Sequence, residues 1–173
     1  MKRNLLLIIG LLVATVISTT VIASKKNDPT DKKKLKATEK LIKEMGEIPE
    51  YSMFVKALNN TNLKVKLSEL DDYTLLVPTN RAFQTLPKDV YENFLQEENQ
   101  NQLEKVLSYH IIPKKMDIND LQNYKTLNTA EGSELTVVHV NESVIIENST
   151  LLEEKLEKDN LITYSVDRLI MPL

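Results

Sequence analysis

The sequence offers few side chains capable of chemistry, and their spacing keeps them apart. It has two histidines, His110 and His139, and no cysteine, which excludes a thiol nucleophile, a disulfide framework and a cysteine-based zinc site. Its three glycines, Gly10, Gly46 and Gly132, are scattered, whereas a phosphate-cradling loop needs several close together so that the backbone can approach the anion. No Gly-x-Ser-x-Gly elbow occurs. The acidic pairs Asp71-Asp72, Glu97-Glu98 and Glu153-Glu154 are sequence neighbours. Such side chains diverge on a helix and oppose each other on a strand, which suits a solvated surface and not a general acid with its base. No catalytic residue is assigned, and an enzyme is not expected.

DINDLQ, residues 117–122, begins like a calcium loop, with oxygen donors Asp117, Asn119 and Asp120 at positions one, three and four. Gln122 stands where that loop needs glycine and Asn128 where it needs a bidentate glutamate, so Asp117 is read as a helix cap. His139 alternates with Leu135 and Val137, the pattern of a packed or edge residue in a strand. Neither a metal nor a cofactor is expected. Asn-x-Ser/Thr triplets at Asn59, Asn141 and Asn148 would accept sugar in a eukaryotic secretory pathway, but a chain with 15 asparagines produces such triplets by chance.

The elements that would position these residues change character along the chain. From Glu39, Leu41, Ile42 and Met45 recur at helical spacing up to Gly46, and Tyr51, Phe54, Val55 and Leu58 form one apolar face of a second helix. LKVKLSELDD is ambiguous, and YTLLV reads as a buried strand. TLLVPTNRAFQTLP, residues 74–87, then turns a corner. Pro78 ends the strand, Thr79 caps a short helix that carries Phe83 inward, and Pro87 stops it. KDVYENFLQEE and NQNQLEKVLSYHII read as two more helices, the second with Leu103, Val106, Leu107 and His110 on one face. Beyond them KTLNT, SELTVVHV, ESVIIEN and NLITYSVDRLIMPL are strand-like, with a turn at Asn141-Glu142. Helices followed by strands predict an α+β domain with an antiparallel sheet or sandwich.

The formal charge of −3 is unevenly spread. Residues 1–46 hold 10 basic and 4 acidic side chains, whereas residues 47–173 hold 12 basic and 21 acidic. A surface as acidic as the second part repels a polyphosphate backbone, so nucleic acid is excluded as a partner. Lys2 and Arg3 precede an apolar run from Leu5 to Ile22 that ends in small residues. Residues 1–23 are therefore read as an export signal cleaved after Ala23, the alternative being an uncleaved anchor, which would be the chain's only membrane contact. Lys25, Lys26, Lys32, Lys33, Lys34 and Lys36 follow the run and sit badly with its crossing a membrane, by the positive-inside rule. Residues 24–38 are expected to be a Lys-rich flexible linker and residues 39–173 the folded domain.

With these pieces in place, the domain resembles a fasciclin (FAS1) domain. TLLVPTNRAFQTLP is similar to the family's first motif, NQLEKVLSYHII to its central helix ending in Tyr-His, here Tyr109 and His110, and DNLITYSVDRLIMPL to its closing motif. Lys114 stands where the family usually has glycine, Leu161 replaces the glycine of the closing Asn-Gly turn, and Tyr164-Ser165 replaces His-Val. Leu161 predicts a reshaped turn near Asn160. The resemblance implies a FAS1-like β-sandwich or wedge with short helices packed around it. It also implies a secreted or extracytoplasmic adhesion module at the cell surface or periplasm, binding a cell-surface or matrix protein or polysaccharide. Carried over by position, the partner-binding region is Leu107, Tyr109, His110, Ile111 and Ile112. From the first corner, Asn80 and Arg81 are the outward residues a partner would meet. His110 shares the apolar stripe of its helix, so the residue reading places it in or near the core, bonded to a backbone group. The alternative function is a small hydrophobic-ligand binder of the same fold, of the carotenoid type.

Overall fold

The computed structural model describes residues 29–152, 156–158 and 160–172. The expected signal, residues 1–23, and the first residues of the expected linker lie outside that range. The chain begins with a helix, α1 (Pro29–Gly46), followed by α2 (Ser52–Asn59) and α3 (Leu63–Glu69). The expected linker is corrected by α1, because residues 29–38 are helical. Pro29 suits a first turn, Asp31 lies where a helix dipole favours an acid, and lysines are good helix formers. Thr38, Leu41, Ile42 and Met45 bury one stripe, with Lys32, Lys36 and Lys43 exposed.

Strand β1 (Tyr73–Pro78) enters the corner and α4 (Asn80–Gln84) leaves it. Thr79 is the expected cap: its hydroxyl oxygen accepts from the Ala82 amide at 3.3 Å, and its own amide donates to the Val166 carbonyl at 3.1 Å. After α5 (Lys88–Phe94) and α6 (Gln100–Ser108) comes the short strand β2 (Ile111–Ile112), where sequence periodicity had extended the helix. Helix α7 (Ile118–Gln122) carries the Asp117 cap, with the Asp120 amide donating to its carboxylate at 2.8 Å. Strands β3 (Thr126–Asn128), β4 (Glu134–Val140), β5 (Ser143–Ile146) and β6 (Ser149–Thr150) form one antiparallel sheet. Asn141 turns the β4–β5 hairpin at φ 55°, a left-handed conformation that asparagine tolerates. Strands β7 (Glu157–Lys158) and β8 (Leu161–Val166) join β2 and β1 in the other sheet, ordered β2-β1-β8-β7.

The antiparallel arrangement expected from the sequence holds for the second sheet only. In the first, β1 and β8 run parallel, from Tyr73 beside Leu161 to Pro78 beside Val166. Both strands are buried along their whole length, as parallel strands covered on two faces must be. Tyr73, Leu75, Val77 and Leu161 join the helical core. The alternate side chains Leu76, Ile162, Tyr164 and Val166 join Leu135, Val137, Val144 and Ile146 of the second sheet. The result is three layers, helices on sheet on sheet, with two apolar cores divided by β1 and β8. The α+β sandwich wrapped by short helices is the fold found.

The family departures are absorbed locally. Lys114 lies outside the positive-φ region, so the missing glycine costs no backbone strain there. Leu161 is the first residue of β8, 5% exposed and paired with Tyr73, which places it in the strand and not in the turn. Tyr164 and Ser165 reach opposite layers: the Tyr164 hydroxyl donates to the Met116 carbonyl at 3.4 Å, and Ser165 hydrogen-bonds the Tyr51 hydroxyl at 2.5 Å.

Candidate functional site

Two corners gather the residues singled out by the sequence, and they meet through β1. At the first, Asn80 opens α4 half-buried. Its Oδ1 accepts from the Met53 amide at 3.0 Å, and its Nδ2 donates to the Pro49 carbonyl at 2.9 Å. The Met53 amide belongs to the first turn of α2, whose own N-cap position makes no side-chain bond. Asn80 therefore caps α2 from a distance. Its side-chain amide is occupied within the domain, which corrects the expectation that it points outward to a partner. Arg81 is exposed. Phe83 packs edge-on against Tyr91, with ring centroids 5.1 Å apart, and Tyr91 in turn donates to the Met53 carbonyl at 2.9 Å.

The second corner follows α6. His110 is completely buried. Its Nδ1 lies 2.8 Å from the Val106 carbonyl, and its Nε2 lies 3.0 Å from the Ile170 amide. A carbonyl only accepts and an amide only donates, so the partners fix a neutral ring protonated on Nδ1. Burial pushes its pKa down to about 4, opposed by the bond to Val106. The His110 carbonyl also accepts from the Leu76 amide at 2.9 Å. One residue thereby ties the end of α6, the middle of β1 and the closing segment together.

The neighbours of His110 divide between the two cores. Leu107 and Ile111 enter the helical core, while Tyr109 and Ile112 enter the core between the sheets. The Tyr109 hydroxyl donates to the Glu134 carbonyl at 3.2 Å. None of Leu107, Tyr109, His110, Ile111 and Ile112 is more than 3% exposed. The sequence-based expectation that these five contact a partner is corrected: their side chains present no surface unless the domain opens. Of the seven candidate residues, Arg81 alone is fully outward.

Thr74 was not singled out by the sequence, yet its hydroxyl donates to the Lys114 carbonyl at 2.8 Å and accepts from the Met116 amide at 2.9 Å. It pins the loop that carries Lys114 and Asp117. The signal was present as a threonine inside an apolar strand, a polar group that must find partners once buried. Among the described residues, no buried side-chain nitrogen or oxygen lacks a hydrogen-bond partner, and no three acidic or histidine side chains gather as metal ligands would.

Residues 49–172 match the Fasciclin domain family. The chain belongs to the fasciclin domain family. Among its relatives, protein sll1483 of Synechocystis is 30% identical over 122 residues, covering 70% of this chain and 67% of that protein. Human periostin is 27% identical over 141 residues, 80% of this chain but 17% of periostin. The Mycobacterium bovis cell surface glycolipoprotein MPB83 is 27% identical over 101 residues, 58% of this chain and 44% of the relative. A solved FAS1 domain pair from the insect cell adhesion molecule Fasciclin I aligns with a TM-score of 0.49 at 14% identity, covering 77% of this chain and 45% of that one. Both corners lie within the fasciclin match, and in this chain both serve to hold layers together.

Proposed function

We propose that this fasciclin domain is a non-enzymatic extracytoplasmic interaction module that attaches to a cell-surface or matrix protein or polysaccharide. The observation that carries the reading is the family match across residues 49–172, supported by a relative named as a cell surface glycolipoprotein. The apolar run over residues 5–22 after Lys2 and Arg3 supports delivery across a membrane. Among the described residues, no helix is long and apolar enough to cross one. Partner contact falls to the outer surface, with Arg81 beside the first corner as the leading contact. Leu107, Tyr109, His110, Ile111 and Ile112 act by holding that surface in shape.

The test is retention of the purified full-length protein on source cells and on their matrix. The parent chain is retained above a blocked-surface control. Arg81→Glu lowers retention while its melting temperature stays unchanged. His110→Ala lowers retention only together with melting temperature. Retention no better than the control overturns the adhesion reading; loss of binding in His110→Ala without loss of stability overturns the role given to the Tyr-His corner.

A further inference from the structure

A cavity of about 440 Å³ opens where α1 crosses α3 and the Tyr73 end of β1, within the roughly 300–1,000 Å³ usual for small-molecule sites. Its inner wall is apolar: Leu41, Leu67, Leu70, Tyr73 and Leu161. Its mouth is basic, with Lys33, Lys34 and Lys40 from α1 and Lys158 from β7. Glu44 lies 2.7 Å from Lys158 and 3.8 Å from Lys40, and Asp71 lies 2.6 Å from Lys34. Lys33 makes no ion pair with a described residue. Asp31 is also close enough to act on Lys34, so four ammonium groups face three carboxylates, and a net positive charge, carried by the unpaired Lys33, remains at the mouth of an apolar pocket. The contrast with the rest of the domain is sharp, since residues 47–173 carry 12 basic and 21 acidic side chains.

We propose that this cavity binds a single-chain carboxylate amphiphile of the fatty-acid type, its tail against Leu41, Leu67 and Leu161 and its carboxylate among the lysines at the mouth. Charge complementarity selects an anionic head, and an apolar wall selects a hydrocarbon tail. Among the described residues no arginine lines the mouth, so the head group meets flexible lysines acting as point charges and not a planar fork, which suits a compact anion such as a carboxylate. The volume suits one medium-length chain. A long neutral polyene, the pigment alternative raised by the sequence, gains nothing from the lysine rim. The inference is independent of the adhesion reading, because Arg81 is not among the residues lining the cavity.

Calorimetric titration of the full-length chain with decanoate, 1-decanol and lysophosphatidylglycerol tests it, with Lys33→Glu and Ala37→Trp as variants. Both substitutions fall on exposed positions of α1 that line the cavity, so melting temperatures near the parent's are expected. Decanoate saturates one site at least tenfold more tightly than decanol, and added salt weakens it. Lys33→Glu weakens decanoate at least tenfold and leaves decanol unchanged, while Ala37→Trp fills the space and removes both. Any binding to the apolar run at residues 5–22 is insensitive to either variant. The proposal is overturned by equal affinity for decanol, by decanoate binding that survives Ala37→Trp, by a preference for the lysophospholipid, or by no saturable binding.

Discussion

His110 and Asn80 show how single polar side chains replace apolar packing where elements meet. His110 must stay neutral to accept from Ile170 and donate to Val106. The unfolded ring takes a proton near pH 6.5 and the folded one only near pH 4. Between those values the unfolded chain binds more protons, so the His110 contribution is fully present above about pH 6.5 and is lost as the pH falls toward 4, by roughly 3 kcal/mol in all. His110→Ala leaves the Ile170 amide unpaired and opens a cavity, and is expected to lower stability by about 3 kcal/mol at pH 7. It also removes that part of the acid sensitivity. Urea midpoints of parent and variant at pH 7.5 and 4.5 check both: the gap between them narrows in acid, and a constant gap would contradict the buried neutral ring. Asn80→Ala strips the remote cap from α2 and is expected to cost about 2 kcal/mol. Because no titrating group is lost, its urea midpoint shifts equally at both pH values.

Among the elements, α1 departs furthest from what the sequence suggested, and for an identifiable reason. Over residues 29–38 the side chains that touch the body are few, chiefly Thr38, the half-buried Leu35 and Lys34 through its ion pair with Asp71, and other lysines surround them. A solvated run of lysines has the same composition whether it is a tether or the outer face of a helix. Lys36→Pro separates the two. In a tether it is neutral; in α1 it breaks the helix interior and is expected to cost about 3 kcal/mol, read as a lower melting temperature and reduced helical circular dichroism. The caps were legible because a cap is a short-range fact: Thr79 reaches Ala82 and Asp117 reaches Asp120, each three residues on. The end of α6 was not. Tyr109, His110, Ile111 and Ile112 continue the apolar pattern past the helix, and only the pairing of Ile111 with Leu75 and of Ile112 with Thr74 makes the last two a strand.

At the scale of the molecule, the α+β class was readable and strand direction was not. Alternation in SELTVVHV and ESVIIEN specified a two-faced sheet. The uninterrupted burial of YTLLV and LITYSV is the mark of strands covered on both sides, but two such runs carry no record of whether they lie parallel. The lysine-rimmed cavity was equally hidden, since Lys33, Tyr73 and Lys158 lie far apart in the chain and converge only after folding. A chain ending before Leu161 lacks the parallel partner of every residue in β1 and one wall of both cores. It is expected to show no cooperative unfolding transition in urea and to be digested rapidly by protease, where the complete chain resists.

That parallel pair also imposes a schedule. Tyr73 waits for Leu161, and Pro78 for Val166, so the central sheet cannot close until residues 161–166 have been made, and long-range closure of this kind is slow. Until β8 is present, β1 lacks its parallel neighbour and both cores lack the side chains that β8 contributes. The order of the strands thus separates the early, local formation of helices and hairpin from the late closure of the central sheet.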